Sequence, residues 1–305
     1  MLIEQGVSVI IPTFNGLPQV KVLIARLLSQ SVKPLEIIVI DSSSSDGTVE
    51  VARQMGCRVF VIEKRLFNHG ATRNWAANNA RGDILIFMTQ DALPVNEHLI
   101  ENLLNPLKDV NVAASFGRQI TDEGASPIER FSRAFNYNDR SIVKGYDQLK
   151  MLGVKTFFFS NVCSAIKTEA FLKGGAFPCT IMNEDMAFSA RLIKLGFKVA
   201  YEASAEVVHY HNYTLWKQFR RYFDIGVSMV ENSLLDKMHP AGEGRRFVSE
   251  GTLFFIKLKS PYWLMYFFVD MLVRYAAYSI GLHYKTLPSS LQKKLSMHTF
   301  YFSKH

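Results

Sequence analysis

The sequence predicts an α/β protein built on a mostly parallel sheet with helices on both faces. Three observations support this fold class. Continuous apolar runs rich in β-branched residues recur between residues 7 and 116, as expected for strands buried on both faces. Segments of helical periodicity separate these runs, which favours right-handed βαβ crossovers. The composition, 48% hydrophobic and 20% charged, argues against disorder.

The first half of the chain supplies most of the predicted sheet. The predicted strands are Val7–Pro12, Glu36–Ile40, Arg58–Ile62, Ile84–Met88 and Val112–Phe116. The predicted helices between them are Val20–Leu28, Thr48–Met55, Ala71–Ala80 and Leu99–Leu107. Asp46 or Ser45 is the expected N-cap of the second helix, because a side-chain oxygen there can accept from an unpaired N–H of the first turn.

The second half is less regular. Residues 121–150 are polar and are interpreted as a loop or lid. The further predicted elements are a strand at Phe157–Ile166, a helix at Glu184–Leu195, short strands at Lys198–Tyr201 and Glu206–Tyr210, and a basic aromatic helix at Leu215–Leu235. We expect a catalytic domain over residues 1–235 and a helical C-terminal region, membrane-interfacial or oligomerising, over residues 236–305.

The apolar segment Tyr262–Leu282 is long enough to cross a bilayer. Asp270 and Arg274 lie inside it, and each charge would cost ~2.5–3.5 kcal/mol near the centre of a spanning helix. Four residues apart on a helix, the two side chains can pair. Three interpretations remain open: an interfacial helix, a helix buried against the domain or another subunit, and a true span.

The net charge of +8 and the pI of about 9.3 indicate either ordinary solubility or an anionic partner. A phosphorylated substrate, a nucleic acid and a membrane surface would all fit. We find no nucleic-acid recognition motif and expect no nucleic-acid partner. Three scattered cysteines are expected to be free thiols, and the N-terminus lacks a basic leader. The sequence therefore predicts a cytoplasmic protein.

Polar residues follow three of the predicted strands at their carboxyl ends. They are Thr13–Asn15, Asp41–Ser45 and Thr89–Asp91. Because ligands of parallel α/β sheets bind beyond the carboxyl ends of the strands, these three segments should meet in one crevice.

Four motifs stand out along the chain. They are VSVIIPTFNG, EIIVIDSSSSDGT, HGATRNWAANNARGDILIFMTQDA and NEDMAFSARLIKLGFKV. Their order and spacing resemble those of bacterial family-two glycosyltransferases. The chain resembles this family over roughly residues 7–225, and the FNHGATRN and TQDA details look most like its rhamnosyltransferase branch, which serves O-antigen and other polysaccharide synthesis. The resemblance implies the GT-A nucleotide-diphospho-sugar transferase fold and a nucleotide-sugar donor, dTDP-L-rhamnose within that branch.

The resemblance also implies a nucleotide site. Its residues would be Pro12, Thr13, Phe14, Asn15, Asp41, Arg73, Asn74 and Gln90. Asp41 would accept a hydrogen bond from the pyrimidine N3–H, and Arg73, at a helix start, would lie near the diphosphate. The alternatives are a capping role for Asp41 and a surface salt bridge for Arg73.

The family usually carries Asp-x-Asp at the end of the fourth strand, and its last acid holds a divalent metal. Here Thr89 replaces the first acid and Asp91 remains. Mg²⁺ or Mn²⁺ could complete its coordination with phosphate oxygens, water and a histidine from HYHNYT, namely His209 or His211. Asp91 could otherwise cap a turn, and the two histidines could bind phosphate or be strand-end structural residues.

The Glu184–Asp185 pair carries the chemistry that the resemblance implies. Asp185 would be the general base of inverting transfer, since the acceptor hydroxyl must lose a proton as it attacks. Glu184 is a neighbouring candidate for diphosphate or acceptor binding. Arg221 belongs to a Gln-x-x-Arg-Tyr stretch and could neutralise the leaving diphosphate, or it could belong to a basic helix face.

The sequence thus predicts an inverting glycosyltransferase acting on a glycan or lipid-linked glycan acceptor in bacterial surface polysaccharide synthesis. We expect peripheral contact with an anionic membrane at the inner face of the plasma membrane, and a homodimer is possible. A UDP-sugar donor and a catalytically inactive glycan-binding or scaffold protein are the alternatives. A nicotinamide oxidoreductase is disfavoured because PTFNG, not GxGxxG, follows the first strand. A processive synthase would need more membrane spans.

Overall fold

The structure is a computed structural model that describes residues 6–232 and 241–303. Its contacts divide these residues into two compact units. The first unit contains residues 6–120, 137–179 and 184–209, and the second contains residues 121–136, 180–183, 210–232 and 241–303. The predicted domain boundary between residues 235 and 236 lies outside the described residues and stays a prediction.

A single nine-stranded sheet lies in the first unit. Its strands are β1 (Val7–Thr13), β2 (Glu36–Asp41), β3 (Arg58–Val61), β4 (Ile84–Met88), β5 (Leu93–Pro94), β6 (Val112–Ile120), β7 (Ile142–Lys144), β8 (Cys163–Lys167) and β9 (Lys198–Val208). Their order is β3-β2-β1-β4-β8-β6-β9-β5, and β7 pairs with β9.

The helices of the first unit alternate with these strands. They are α1 (Gln19–Leu28), α2 (Thr48–Gln54), α3 (His69–Asn78), α4 (Leu99–Leu104), α6 (Leu149–Leu152), α7 (Thr168–Lys173) and α8 (Glu184–Lys194). The helices of the second unit are α5 (Pro127–Asn136), α9 (Leu215–Glu231), α10 (Ala241–Lys257), α11 (Pro261–Leu282) and α12 (Ser289–Leu295). The α/β alternation predicted for the first half is confirmed.

The parallel arrangement holds from β3 through β2 and β1 to β4. The register sets Thr13 of β1 beside Asp41 of β2, at the carboxyl ends of both strands. Beyond β4 the sheet becomes mixed, because β8 runs antiparallel to both β4 and β6, whereas β6 and β9 are parallel. The mixed half carries the strand end that leads to His209.

Both faces of the sheet are covered by apolar side chains. On one face Val9 and Ile11 of β1 belong to a core that includes Leu23 and Ile24 of α1. On the other face Phe87 of β4 contacts Phe171 and Phe177, with ring centroids 5.8 and 5.0 Å apart. These two layers hold the carboxyl ends of β1, β2 and β4 in fixed positions.

Several predicted elements were wrong. Residues 121–150 are not a loop or lid, because they contain α5, β7 and α6. The strand predicted at Phe157–Ile166 begins only at Cys163, after a 3₁₀ turn at Gly153–Phe157. The two short strands predicted between Lys198 and Tyr210 form one strand, β9. A register shift in its pairing with β6, between Gly117 and Arg118, explains the apparent interruption.

Other boundaries moved by a few residues. The helix α4 ends at Leu104 and continues as a 3₁₀ turn at Asn105–Lys108, where Pro106 removes an N–H donor. The N-cap position of α2 is Gly47, although the Asp46 carboxylate accepts from the backbone N–H of Thr48. The helix α9 ends at Glu231, and residues 233–235 of its predicted extent lie outside the described residues.

The second unit is held by a close helix pair, α9 and α11. A Cβ on Gly226 would lie 2.4 Å from the carbonyl oxygen of Tyr278, and a Cβ on Gly281 would lie 2.2 Å from that of Phe223. Asp270 and Arg274 pair inside α11 at 2.7 Å and are buried, as their spacing predicted. Within residues 6–232 and 241–303, no helix combines the length and apolar character needed to cross a bilayer.

Candidate functional site

The carboxyl ends of β1 and β2 are joined through Asp41. Its carboxylate is completely buried. It accepts hydrogen bonds from the hydroxyls of Thr13 (2.7 Å) and Ser44 (2.6 Å), and from the backbone N–H of Ser44 (2.7 Å). Asp41 therefore organises the 42–45 loop. The predicted contact with a pyrimidine N3–H would require this loop to open.

The loop after β1 is locked by side-chain contacts to backbone groups. Asn15 has a positive φ of 44° and accepts from the backbone N–H of Ser45 through its side-chain oxygen at 3.0 Å. Gln90 accepts from the backbone N–H of Phe14 at 2.8 Å and donates to the Phe14 carbonyl at 3.2 Å. Pro12 occupies the next-to-last position of β1. The amide of Gln90, predicted to bind nucleotide, is thus used to hold Phe14.

Phe14 has a partner that sequence reasoning missed. The ring of Phe14 is 37% exposed, and the Lys64 ammonium lies 4.1 Å from the ring centroid. Lys64 is in a 3₁₀ turn just after β3, a strand that the sequence did predict. A cation over an exposed aromatic ring offers both stacking surface and positive charge. The position of Lys64 directly after a strand of the parallel half was the available signal.

Asp91 lies beside His209. The Nε2 atom of His209 is 3.5 Å from the Asp91 carboxylate, and the histidine is buried whereas Asp91 is partly exposed. A carboxylate oxygen and an imidazole nitrogen are ligands that Mg²⁺ or Mn²⁺ accepts. His211, the third predicted ligand, follows after Tyr210 in the second unit. Thr89, at the position of the missing acid, has a buried hydroxyl without a hydrogen-bond partner among the described residues.

The orientation of His209 is fixed by Gln119, another residue that sequence reasoning missed. The amide nitrogen of Gln119 donates to the hydroxyls of Tyr137 (2.5 Å) and Ser160 (3.0 Å). Its oxygen is thereby directed at Nδ1 of His209, 2.9 Å away. Nδ1 then carries the proton, which leaves the lone pair of Nε2 on the side of Asp91. This arrangement fits a metal-binding imidazole.

Asp185 is the second residue of α8, directly after Glu184. The backbone N–H of Asn161 donates to Asp185 at 3.1 Å, and the side-chain amide of Asn161 donates to Glu184 at 3.3 Å. Burial and the neighbouring Glu184 carboxylate raise the pKa of Asp185 to about 7, against the lowering effects of the Asn161 hydrogen bond and the Arg73 charge. A carboxylate with such a pKa can take up a proton at neutral pH.

Arg73 lies behind this carboxylate pair. Its guanidinium donates to Glu184 at 3.3 Å and to the carbonyl oxygen of His69 at 3.0 Å, and the residue is 3% exposed. Asn74 makes two bonds with the backbone of Phe177, donating to its carbonyl and accepting from its N–H. Both residues start from α3, as predicted, but in this structure they bind protein groups.

Arg221 lies in the second unit. It lines a pocket of about 100 Å³ and finds no carboxylate partner in the described part of the chain. The other acidic and basic side chains that line this pocket are Glu129, Arg133, His211 and Arg274. Glu129 and Arg133 are 3.5 Å apart and pair with each other. The pocket therefore presents the uncompensated charge of Arg221.

The first unit thus brings together most of the predicted site residues in two groups. One group lines the ends of β1, β2 and β4 and contains Thr13, Phe14, Asn15, Asp41, Gln90 and Asp91. The other joins the starts of α3 and α8 and contains Arg73, Asn74, Glu184 and Asp185. His209 joins the first group through Asp91. His211 and Arg221 belong to the second unit.

Comparison with known proteins identifies the family to which this chain belongs. The sequence pattern of glycosyl transferase family 2 matches residues 8–175. The O-antigen chain rhamnosyltransferase WbaN of Salmonella anatum is 37% identical over 301 residues, covering 97% of this chain and 95% of the relative. The rhamnosyltransferase RfbN of Salmonella typhimurium is also 37% identical, over 97% of this chain and 96% of its own length.

Solved structures share the fold at low sequence identity. A mannosyltransferase of Pyrobaculum calidifontis, in complex with GDP-Man and Mn²⁺, aligns with a TM-score of 0.58 at 18% identity, over 90% of this chain and 74% of its own. Glucosyl-3-phosphoglycerate synthase of Mycobacterium tuberculosis, with Mn²⁺, UDP-glucose and phosphoglyceric acid, gives 0.53 at 17%, over 74% and 79%. The predicted GT-A fold is confirmed. The protein is a transferase enzyme, and it belongs to glycosyltransferase family 2.

Proposed function

We propose that the protein is an inverting rhamnosyltransferase that moves L-rhamnose from dTDP-L-rhamnose to a hydroxyl of a lipid-linked glycan in bacterial surface polysaccharide synthesis. Two relatives that match almost the whole chain are O-antigen chain rhamnosyltransferases, which supports the sugar and the pathway. The observation that carries the chemistry is Asp185, a carboxylate whose pKa is raised to about 7.

Asp185 acts as the general base. The acceptor hydroxyl loses its proton to this carboxylate as the oxygen attacks the anomeric carbon from the side opposite the leaving diphosphate, so the configuration inverts. Asn161 orients the carboxylate through its backbone N–H. Burial and the charge of Glu184 raise the pKa of Asp185, and the charge of Arg73 opposes them, so that the pKa of the base lies at about 7.

The nucleotide binds over the loops that follow β1 and β2. Phe14 offers an exposed ring for the thymine, and Lys64 supplies a positive charge above that ring. Asp41 and Asn15 shape the loops on which the base and ribose lie. These residues do not react, so their contribution is binding and orientation.

Asp91, His209 and His211 would hold Mg²⁺ or Mn²⁺. The donor set is one carboxylate and two imidazoles, and Gln119 presents the Nε2 lone pair of His209 to the Asp91 side. When bound, the ion supplies positive charge to the oxygens of the departing diphosphate. Arg221, which has no ion-pair partner among the described residues, adds a further positive charge for a phosphate group.

The acceptor is delivered at a membrane surface on the inner face of the plasma membrane. The solvent-exposed face of α11 carries large apolar side chains and no charged residue, because Asp270 and Arg274 are buried. These exposed side chains are Tyr262, Met265, Phe268, Val269, Leu272, Tyr275 and Ile280. Residues 241–303 contain eight Lys and Arg and three Asp and Glu, which suits an anionic bilayer. Residues 236–305 would thus be the membrane-facing region of a catalytic chain.

Calorimetry with dTDP-L-rhamnose and UDP-sugars, with and without Mn²⁺ or Mg²⁺, tests the donor and the metal together. Metal-dependent binding of dTDP-L-rhamnose that is lost in Asp91→Ala would support the proposal. Preference for a UDP-sugar would overturn the rhamnose assignment. Transfer with retained anomeric configuration, read by NMR of the product, would overturn the inverting mechanism.

A further inference from the structure

A second pocket in the second unit plays no part in the chemistry proposed above. Its volume is about 190 Å³. The aromatic residues that line it are Tyr213, Tyr262, Trp263 and Tyr266, and the polar ones that matter here are Glu129, Gln218 and Asp270. Pockets for drug-sized ligands measure roughly 300–1,000 Å³. This pocket is therefore of the size that suits a single small ring.

One wall of this pocket is an aromatic cluster at the start of α11. The ring centroids of Tyr262 and Trp263 are 5.2 Å apart, and those of Trp263 and Tyr266 are 5.6 Å apart. In the segment between β9 and α9, Tyr213 stacks on His211 with an interplanar angle of 10°. Rigid aromatic faces carry negative charge density, so they bind ligands that present polarised C–H groups.

The polar wall contains a buried amide that lacks a protein partner. Gln218 is 6% exposed, and its side-chain amide makes no hydrogen bond to any residue within 6–232 and 241–303. Its amide nitrogen and oxygen are not among the fully buried polar atoms and remain available to a ligand in the pocket. Because an amide both donates and accepts, it matches a hydroxyl group, which does the same.

The charges around the pocket are compensated. Glu129 lies 3.5 Å from Arg133, and Asp270 lies 2.7 Å from Arg274. A charged ligand would therefore find no uncompensated partner in this pocket. A neutral ligand would instead meet carboxylate oxygens that can accept hydrogen bonds from its hydroxyls.

We propose that this pocket is the acceptor-sugar subsite, which holds one neutral pyranose ring of the acceptor glycan between the α11 aromatic residues and Gln218. The ring offers C–H faces to the aromatic side chains and hydroxyls to the amide and the carboxylates. The inference rests on the proposed function only in taking the acceptor to be a glycan. It assigns acceptor recognition to α9 and α11, outside the nucleotide and base residues.

Saturation-transfer NMR on the full chain tests this subsite without any nucleotide. The probes are methyl α-D-galactopyranoside, methyl α-D-glucopyranoside and methyl α-D-mannopyranoside. The variants are Gln218→Ala and Trp263→Ala, with Trp216→Ala as the matched control, because Trp216 is an exposed tryptophan of the same unit that does not line the pocket. Thermal melting of each variant verifies folding, and Trp263→Phe retains an aromatic ring if Trp263→Ala fails to fold.

We expect at least one glycoside to receive saturation in the wild type and in Trp216→Ala. We expect its Kd to rise by about tenfold, equivalent to about 1.4 kcal/mol, in Gln218→Ala and Trp263→Ala. No saturation transfer to any glycoside, or equal transfer in all variants, would overturn the subsite. Binding of dTDP-L-rhamnose is measured on the same samples. Intact donor binding without glycoside binding would refute the subsite alone, whereas glycoside binding without donor binding would refute the proposed donor alone.

A membrane role for the same aromatic residues makes a different prediction. If Tyr262 and Trp263 only anchor the chain in lipid headgroups, Trp263→Ala would weaken vesicle binding and leave glycoside binding unchanged. That outcome would overturn the subsite.

Discussion

The guanidinium of Arg73 donates to the carboxylate of Glu184 across 3.3 Å, and both side chains are more than nine-tenths buried. Glu184 directly precedes Asp185, the proposed base. Arg73 therefore pairs with the carboxylate whose negative charge affects the pKa of Asp185. The two charges oppose each other at Asp185: Glu184 raises its pKa, and Arg73 lowers it.

Glu184→Gln and Arg73→Gln should therefore shift the pH–rate profile in opposite directions. The base must be deprotonated, so activity should rise with pH through the pKa of Asp185, about 7 in the wild type. Glu184→Gln should move the acidic limb of kcat/KM to lower pH, and Arg73→Gln should move it to higher pH. Profiles that move in the same direction, in variants with native melting behaviour, would refute this coupling.

Asp185→Asn should abolish most of the transfer activity. The amide keeps the size of the side chain and an oxygen acceptor for Asn161, but it cannot take a proton. We expect nucleoside diphosphate release in the presence of acceptor to fall by about 10²–10⁴-fold, while calorimetric binding of dTDP-L-rhamnose stays within about twofold of wild type. A variant that retains full turnover would exclude Asp185 as the base.

The same substitution should change the pH dependence of stability. The folded pKa of Asp185, about 7, lies above its ordinary value of 3.8. The protonated side chain therefore favours folding at acidic pH, and this contribution is lost as the pH rises through about 7. Urea unfolding should show that the stability advantage of Asp185→Asn over wild type grows between about pH 4 and pH 7, the interval between the unfolded and folded pKa values of the carboxyl group, and levels off above it.

Gln119→Leu should weaken metal binding without removing a ligand. Leucine cannot accept from Nδ1 of His209, so the imidazole loses its fixed orientation and tautomer. Loss of such a supporting group typically costs about 10–100-fold in metal affinity. Calorimetric titration of Mn²⁺ into the protein with dTDP measures the effect. Gln119→Glu, which keeps an oxygen toward Nδ1, should retain most of the affinity, and equal affinity in both variants would refute the role of Gln119.

Gly226→Ala should destabilise the second unit. The added Cβ would lie 2.4 Å from the carbonyl oxygen of Tyr278 in the neighbouring helix, and such overpacking typically costs about 1–3 kcal/mol. Gly244→Ala in α10 is the matched control, because its Cβ would meet nothing within 4 Å and alanine favours a helix by up to ~1 kcal/mol. Urea unfolding of the two variants should therefore change in opposite directions.

The double variant Phe268→Asp and Leu272→Asp should lose vesicle binding. Both side chains are on the uncharged exposed face of α11. Cosedimentation with anionic and with neutral vesicles measures binding, and Leu195→Asp, at an exposed leucine of the first unit, is the control. If light scattering instead shows that the double variant converts a dimer into a monomer, a second copy covers this face and the membrane proposal fails.

The sequence predicted the parallel half of the sheet well because β1, β2 and β4 are continuous apolar runs, largely buried, that end in or are followed by a polar residue. The prediction from sequence was wrong at α5, where polar residues between the apolar positions give a pattern typical of a loop. It failed again within β9, where Ala203–Ala205 fall at the register shift and break the apolar run. Local pattern alone does not reveal such pairing irregularities.

The candidate site shows the same limit. Asp91, Asp185 and His209 could be predicted because strand ends and motif spacing mark them. Gln119 could not, since its partners Tyr137 and Ser160 are 18 and 41 residues away in sequence. Likewise, nothing in the TQDA motif indicated that the Gln90 amide would form hydrogen bonds with the backbone N–H and carbonyl groups of Phe14.

That contact between Gln90 and Phe14 bears on the thermodynamics of donor binding. By accepting from the backbone N–H of Phe14 and donating to its carbonyl oxygen, the Gln90 amide links the segments that follow β1 and β4. The conformational entropy of the loop after β1 is then lost during folding rather than on encounter with the nucleotide. The free protein therefore already presents the ring of Phe14 to the nucleotide. We expect the donor to bind with little rearrangement of this loop, at a rate close to that of rigid-body docking, and with a smaller loss of conformational entropy.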